Sequence, residues 1–209
     1  MTDVDFGGLT IAFDDRVLRP REWTLAQSTW AAELLVTAPA GPVLELFAGV
    51  GHIGLAAVAS TDRELVMVDL NPAAVELARR NIDAAGLASR VTVRHGRIDE
   101  VLRPDERFAV VVADPPWVPS AGITEFPDDP PIAIDGGDDG LALARTCCDV
   151  IDRHLAPGGS AIVQIGTSEQ AEALDQHLRE SESGLRLVET RVHERGVLVA
   201  LVRAGAASG

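Results

Sequence analysis

Four consecutive residues, Asp114-Pro115-Pro116-Trp117, have the chemistry to bind and orient a flat nitrogen group. They follow the apolar run FAVVVA, which is typical of a buried strand. Two prolines fix the backbone and remove two amide donors, so a carboxylate, carbonyl oxygens and an aromatic face remain. That set accepts two N–H hydrogen bonds and stacks on a planar group, which suits a planar –NH2 substrate. The alternative is a rigid loop that follows a strand and has no chemical role.

Glycines and one acid indicate a second site for a nucleotide-like ligand. The segment LELFAGVGHIG, residues 44–54, places Gly49, Gly51 and Gly54 in a G-x-G-x-x-G pattern between a predicted strand and a predicted helix. Glycines there allow close approach of a ligand, and free amides at the helix start attract negative groups. Asp69 follows Gly51 by 18 residues, where an acid commonly accepts both ribose hydroxyls. A tight turn, with Asp69 as a helix cap, is the structural alternative.

Strands and helices that could position these residues alternate from about residue 24 onward. The predicted strands span 43–47, 64–70, 91–95, 108–114 and 160–166, with a terminal hairpin of 185–193 and 197–203. The predicted helices span 52–60, 71–85, 141–155 and 168–180, residues 115–138 form a long loop, and Pro157-Gly158-Gly159 forms a turn.

This order of elements predicts an α/β fold with a seven-stranded, Rossmann-like sheet, mostly parallel, and helices on both faces. Ligands bind beyond the carboxyl ends of such strands, so the Asp114 segment should face the glycine turn. We expect residues 24–203 to form the catalytic domain, 1–23 an N-terminal extension and 204–209 a flexible tail.

The composition and charge limit the classes of partner that the protein is expected to bind. The net charge is −14, and all 18 basic residues are arginine, with no basic stretch that would favour nucleic acid. No apolar run approaches the ~18 residues of a membrane helix, and the N-terminus lacks a signal-peptide core, so we expect a cytoplasmic protein without a membrane partner. Adjacent Cys147 and Cys148 and five scattered histidines predict no metal site. The oligomeric state stays open.

The motifs together resemble a known family. ELFAGVG, then VDLNP, then an Asp-Pro-Pro-aromatic segment is similar to class I S-adenosylmethionine-dependent methyltransferases that act on exocyclic or amide nitrogen. Downstream, residues 134–145 (IDGGDDGLALAR) and 155–166 (LAPGGSAIVQIG) resemble the release-factor glutamine methyltransferases. Residues 18–24 (LRPREWT) loosely resemble the stretch before that family's first strand. The likeness covers roughly residues 18–203.

The resemblance implies S-adenosyl-L-methionine as cofactor and methyl transfer to a planar amide or amino nitrogen, first of all a protein glutamine side chain. It implies a catalytic segment of Asp114, Pro115, Pro116 and Trp117, in which the carboxylate and the Pro115 carbonyl accept the two N–H hydrogens. The cofactor-binding residues implied are Thr24, Gln27, Glu45, Phe47, Ala48, Gly49, Gly51, Asp69, Leu70, Asn71, Gly96, Arg97, Ile98 and Asp114.

The chain departs from the family at several positions. The family usually has Asn in place of Asp114 and Tyr in place of Trp117, and a helical N-terminal domain that helps to recognise the release factor. Many relatives carry an acid where Arg97 stands, and it binds the adenine amino group. Here we expect that contact from Asp99 or from a backbone carbonyl, with Ile98 packing on the ring. The alternative is that Arg97 points to solvent and a backbone contact suffices.

Other functions fit some of these features. A nucleic-acid base or a small-molecule amine is an alternative methyl acceptor. From another class, a nicotinamide-dependent reductase fits the glycine pattern, but the prolyl loop offers no proton donor. A non-catalytic, cofactor-binding partner subunit is the last alternative.

Overall fold

A seven-stranded sheet forms the core of the chain, as the alternation of elements predicts. The computed structural model describes residues 1–204. Its strands are β1 (Thr2–Phe6), β2 (Leu9–Phe13), β3 (Val43–Leu46), β4 (Leu65–Asp69), β5 (Val91–His95), β6 (Phe108–Ala113), β7 (Leu155–Ile165), β8 (Leu185–His193) and β9 (Gly196–Arg203). Its α-helices are α1 (Leu25–Leu35), α2 (His52–Val58), α3 (Pro72–Ala84), α4 (Pro131–Ile134), α5 (Ala142–His154) and α6 (Ser168–Glu180). Short 3-10 turns span Glu22–Thr24 and Ser120–Glu125.

The strand order in the large sheet is β5-β4-β3-β6-β7-β9-β8. The first five strands are parallel, and β9 pairs antiparallel with both β7 and β8, which confirms the terminal hairpin. Because the order reverses between β3 and β6, their carboxyl ends border the crevice where such sheets bind ligands.

Both faces of the sheet are covered by helices. The central strands β3 and β6 are buried along their whole length, as expected for apolar strands between two helical layers. One core cluster contains Trp30, Leu55 and Leu77 of α1 to α3, and the other contains Ile151 and Leu174 of α5 and α6. Within residues 1–204, no helix has the length and apolar character needed to span a bilayer.

Side chains cap the first turns of α3 and α6. The Asn71 side chain accepts a hydrogen bond from the Ala73 amide, and Pro72 occupies the first turn of α3. At α6, Thr167 and Gln170 form a reciprocal capping box.

The predicted turn at residues 157–159 is wrong, because these residues stay inside β7 as a bulge. The pairing with β6 shifts between Phe108, opposite Leu155, and Val110, opposite Ser160. Gly158 takes a φ of +76°, and a Cβ on Gly159 would lie 2.7 Å from a backbone oxygen of β6. The glycines therefore let the extra residues pack against the neighbouring strand. Residues 205–209 of the expected tail lie outside the described residues.

Residues 1–23, for which the sequence predicted no element, contain the β1–β2 hairpin. The hairpin turns at Gly7 and Gly8, both with positive φ. The buried Asn81 of α3 accepts from the Ala12 amide (2.8 Å) and donates to the carbonyls of Ala12 (3.1 Å) and Val50 (2.9 Å). One side chain therefore joins the hairpin, α3 and the glycine turn.

Asn81→Ala should lower the free energy of unfolding by about 2–4 kcal/mol, because it leaves three buried main-chain groups unpaired. The exposed Arg79→Ala on the same helix is the control and should stay within about 0.5 kcal/mol of wild type. Urea denaturation measures both. An Asn81→Ala protein as stable as wild type would show that this side chain does not secure the hairpin.

Candidate functional site

The carboxyl ends of β3 to β6 bring together most of the residues that the sequence singled out. The Ala48 amide donates to the Val68 carbonyl at 3.1 Å, which joins the loops after β3 and β4. The Gly96 amide donates to the Asp69 carbonyl at 3.0 Å, which joins the loops after β4 and β5. Backbone hydrogen bonds thus connect the loops after β3, β4 and β5, which carry most of the predicted cofactor-binding residues.

The glycine turn after β3 is open on one side and crowded on the other. Gly49 has a φ of +53°, and a Cβ there would meet nothing within 4 Å. Gly51 has a φ of +82°, and a Cβ there would lie 2.9 Å from the Met67 side chain. The half-buried Phe47 also takes a positive φ of 57°. Such strain in a non-glycine residue costs about 1–3 kcal/mol and clusters at ligand sites.

Asp69 sits beside the open face of this turn. Its carboxylate accepts from the Gly49 amide at 2.6 Å and from the Asn71 amide at 2.8 Å. Burial raises the pKa of Asp69 despite these bonds. Leu70, the next residue, exposes 51% of its surface, so an apolar side chain flanks the carboxylate. Because Asn71 caps α3 through its own side chain, Asp69 is free of that role.

Glu45 lies behind the turn, fully buried on β3. Its Oε1 accepts from the Gly54 amide at 3.0 Å, and its Oε2 has no partner among the described residues. A Cβ on Gly54 would collide with that carboxylate, so this glycine permits close strand–helix packing. Burial, with further contributions from Asp114 and Asp69, raises the pKa of Glu45 to about 8.

The Asp114 segment faces the same crevice from β6. Burial raises the pKa of the Asp114 carboxyl to about 7. Pro115 and Pro116 are buried, and Trp117 is half-buried. A Cβ on Gly166, directly after β7, would collide with the indole, so the ring packs closely against that glycine.

Residues 134–141, which run from the last part of the predicted loop to the start of α5, hold this segment in place. The Val118 amide donates to the Ile134 carbonyl at 2.9 Å, and the Gly136 amide donates to the Val118 carbonyl at 2.8 Å. A Cβ on Gly140 would collide with the Trp117 carbonyl. The glycines of the IDGGDDG motif therefore let two backbones approach closely.

Gln170 is a residue of this site that the sequence analysis missed. Its Oε1 accepts from the amides of Gly166 (2.8 Å) and Thr167 (3.2 Å). Its Nε2 donates to the carbonyls of Trp117 and Asp139, both at 3.0 Å. The Thr-x-x-Gln spacing signals the cap but says nothing about the second pair of bonds.

Of the two residues predicted before β3, only Gln27 lies next to the Asp114 segment. Gln27 is fully buried, its Nε2 donates to the Ala113 carbonyl at 2.9 Å, and its Oε1 has no partner among the described residues. The Thr24 hydroxyl instead donates to the Arg21 carbonyl at 2.7 Å and lies 3.3 Å from His52 Nε2. Burial lowers the pKa of His52 to about 4, so this histidine is neutral at pH 7.

At the far edge of the crevice Arg97 is exposed. Its guanidinium pairs with the carboxylates of Asp99 at 2.9 Å and Glu100 at 3.1 Å. Arg97 also lowers the pKa of Asp99. Ile98 is buried. Whether Asp99 or a backbone carbonyl reads the adenine stays a prediction.

Four aspartates line a cavity beside the long loop. A cavity of about 470 Å³ separates the segment after β2 from residues 128–130, and its charged lining residues are Asp14, Asp15, Arg19, Asp128 and Asp129. Arg21 pairs with Asp129 at 2.6 Å, which ties the stretch before α1 to the loop. Among residues 1–204, no group of three or more potential ligands is placed to hold a metal ion.

Glu45→Gln should make stability less dependent on pH. The carboxyl pKa rises from 4.5 to about 8 on folding, so the native chain binds more protons than the unfolded chain between these values. The free energy of unfolding therefore falls as the pH rises through this window, by at most about 1.4 kcal/mol per unit for one group. Glutamine keeps the acceptor for Gly54 and removes the contribution of Glu45 to this fall, while the raised pKa values of Asp69 and Asp114 still contribute theirs.

Urea denaturation between pH 5 and 8 measures this difference, with the exposed Glu172→Gln as the control that should follow the wild-type curve. Equal slopes for wild type and Glu45→Gln would contradict the assignment.

Comparison with known proteins agrees with this geometry. The chain matches the family model of the methyltransferase small domain over residues 27–125. It is similar to the release factor glutamine methyltransferases of Geobacter sulfurreducens (34% identity, 81% of this chain, 60% of the relative) and Clostridium acetobutylicum (30% identity, 90% and 67%). It is also similar to the ribosomal protein uL3 glutamine methyltransferase of Bradyrhizobium diazoefficiens (33% identity, 76% and 54%). The chain thus spans between 54% and 67% of the length of these relatives.

Solved structures share the fold at low sequence identity. A ribosomal protein L11 methylase from Lactobacillus delbrueckii subsp. bulgaricus superimposes with a TM-score of 0.66 at 16% identity, over 92% of this chain and 84% of that one. The glycopeptide N-methyltransferase MtfA, complexed with S-adenosyl-L-methionine, gives 0.57 at 21% identity, over 85% and 87%. The curated relatives, together with the motifs and the sheet order, establish that the chain belongs to the class I S-adenosylmethionine-dependent methyltransferases, in the family of the release factor and uL3 glutamine methyltransferases.

Proposed function

We propose that this chain transfers a methyl group from S-adenosylmethionine to the side-chain amide nitrogen of a glutamine in a protein. The observation that supports the proposal is the position of Asp114, directly after β6, at the edge of the sheet where β4 ends in Asp69, with Glu45 close enough to both to be influenced by each carboxylate. The relatives named above as glutamine methyltransferases support the choice of acceptor.

The residues of the crevice fit the cofactor. Asp69 offers a carboxylate for the ribose diol, Gly49 leaves open space above the turn, and Leu70 offers an apolar face for the adenine. The buried, unpartnered Oε1 of Gln27 lies beside the end of β6, where it would accept a hydrogen bond from the methionine ammonium. When bound, S-adenosylmethionine supplies a sulfonium methyl group that a nucleophile can take.

An amide nitrogen is a poor nucleophile, because its lone pair is delocalised into the carbonyl. The Asp114 carboxylate and the Pro115 carbonyl would accept its two N–H bonds, orient the nitrogen and stabilise the positive charge that develops on it. Asp114, with a pKa of about 7, would also hold the proton that the nitrogen loses. Trp117 would stack on the flat carboxamide, and this alignment itself lowers the barrier.

A protein acceptor fits the charge of the molecule better than a nucleic acid does. The net charge is −14, and four aspartates line the cavity beside the long loop, where phosphates would be repelled. A small-molecule amine lacks the support that the named relatives give. Intact Asp114 argues against a non-catalytic partner subunit, and membership of the family sets the reductase aside. A translation-related substrate would place the chain in the cytoplasm.

Asp69→Ala should weaken binding of adenosylhomocysteine by about 30- to 1,000-fold, because it removes charge-assisted hydrogen bonds of roughly 1.5–3 kcal/mol each. Titration calorimetry measures the affinity, and the exposed Asp83→Ala on α3 is the control with unchanged binding. Unchanged affinity in a folded Asp69→Ala protein would contradict the cofactor site.

Asp114→Ala should slow methyl transfer by about 100- to 1,000-fold, the usual loss for one group that stabilises a transition state. Cofactor affinity should change by only about threefold, because this side chain faces the acceptor. Asp114→Asn keeps a carbonyl acceptor for the N–H group and should retain activity within about tenfold of wild type. In wild type, kcat/KM should rise as the pH passes 7 and Asp114 ionises, and this rise should vanish in the Asn variant.

The assay follows labelled methyl groups from the cofactor into release factors, uL3, tRNA, rRNA and a metabolite pool, and mass spectrometry identifies the modified residue. The proposal predicts label on a protein glutamine. Label confined to nucleic acid or to a small amine, or full turnover by Asp114→Ala, would refute it.

A further inference from the structure

We propose that Gln170 is a positioning residue for the methyl-acceptor site, which it serves by holding the carbonyl of Trp117. This role extends the proposed function, since it presumes that the Trp117 segment receives the acceptor. Gln170 lies on α6, in the third position of the helix and outside every motif that resembles the family.

The side-chain amide of Gln170 uses its full bonding capacity. Its oxygen accepts from the amides of Gly166 and Thr167, and its nitrogen donates to the carbonyls of Trp117 and Asp139. A primary amide has two acceptor sites and two donor hydrogens, so none is left over. Three segments meet at this one group: the end of β7, the acceptor segment (Asp114-Pro115-Pro116-Trp117) and the IDGGDDG loop.

The surrounding glycines allow this group to pack closely. A Cβ on Gly140 would collide with both the Gln170 Nε2 and the Trp117 carbonyl. A Cβ on Gly166 would collide with the indole ring and approach the Gln170 Oε1 to 2.8 Å. Gln170 itself exposes only 9% of its surface. The amide is therefore enclosed, and the indole is held against Gly166.

The helix cap alone does not require glutamine. At the third position of a helix, a capping box needs an acceptor oxygen, which glutamate supplies as well as glutamine does. Only glutamine also donates two hydrogen bonds, and here both go to the two loops. The choice of an amide at position 170 is thus explained by the bonds to Trp117 and Asp139.

Holding the Trp117 carbonyl restrains the whole acceptor segment. Pro115 and Pro116 limit backbone rotation between Asp114 and Trp117, so an anchor at Trp117 acts back on the carboxylate. Methyl transfer depends on alignment, and a displacement of about 1 Å can cost roughly 100-fold in rate. Gln170 therefore acts on turnover through the geometry of the acceptor and has no direct contact with the cofactor site.

Two variants separate this role from the helix cap. Gln170→Glu keeps the acceptor oxygen of the cap and removes both donated bonds. Thr167→Ala removes the hydroxyl of the cap and leaves the amide of Gln170 intact. The measurements are kcat and KM with a protein acceptor, affinity for adenosylhomocysteine, thermal stability and Trp117 emission. That emission is the difference between each protein and its Trp117→Phe counterpart.

For Gln170→Glu we expect kcat to fall about 10- to 100-fold, with adenosylhomocysteine affinity within about threefold of wild type and altered Trp117 emission. Thr167→Ala should lower the melting temperature by several degrees, roughly the effect of losing a cap, and keep wild-type kcat and emission. If Gln170→Glu does not fold, Gln170→Met replaces it, with the same expectations for kcat and emission.

Wild-type kcat and wild-type Trp117 emission in the position 170 variant would overturn the proposal, as would an equal loss of kcat in Thr167→Ala. If the wild-type chain methylates no protein, the proposed function fails by itself. In that case the Trp117 emission of Gln170→Glu still shows whether Gln170 restrains the acceptor segment.

Discussion

Three carboxyl groups held together at the ends of parallel strands are the constraint on which the rest of the structure depends. Glu45 lies inside β3, Asp69 ends β4 and Asp114 directly follows β6, and burial raises the pKa of each. Backbone amides of Gly49 and Gly54 offset part of this cost by donating to Asp69 and Glu45. The amides of the glycine turn and of the first turn of α2 therefore stabilise the buried carboxylates, in addition to the space that the turn leaves for a ligand. Proteins keep such costly charge clusters where chemistry needs them.

The two halves of the crevice have separate supports. The cofactor half rests on the glycine turn, which Asn81 joins to α3 and to the N-terminal hairpin. The acceptor half rests on residues 134–141 and on Gln170, which joins it to α6. The residues that hold the cofactor half in place are therefore different from those that hold the acceptor half in place. This division explains how proteins of one fold can bind the same cofactor and still methylate different acceptors.

Local patterns in the sequence predicted most of the elements and the outline of the site. The period of apolar residues, Asn71 before Pro72, and the glycine spacing are all signals within a few positions, and the structure confirms the elements they indicate. The N-terminal hairpin and the role of Gln170 escaped prediction. The Gly7-Gly8 turn is itself a local signal for the hairpin. The docking of the hairpin onto α3 and the role of Gln170 depend instead on hydrogen bonds between residues far apart in sequence, 69 positions for Asn81 and Ala12 and 53 for Gln170 and Trp117. No local pattern records such a partner.

The bulge in β7 escaped prediction for a related reason. A Pro-Gly-Gly sequence is typical of a turn, and only the neighbouring strand, which leaves room for Gly159 and no room for a side chain, keeps it in the sheet. Arg97 is a residue whose unusual identity the sequence reveals but whose contacts it does not. Its departure from the family is visible in the sequence, but its pairing with Asp99 depends on a local geometry that the residue types alone leave open.

The most direct test of the account is a crystal structure of the chain with adenosylhomocysteine and a glutamine peptide. We expect the ribose diol at the Asp69 carboxylate. We also expect the carboxamide nitrogen within about 3.2 Å of both Asp114 and the Pro115 carbonyl, with its plane against Trp117. A carboxamide bound elsewhere, or a nitrogen that neither oxygen contacts, would contradict the central claim that this segment orients an amide for methylation.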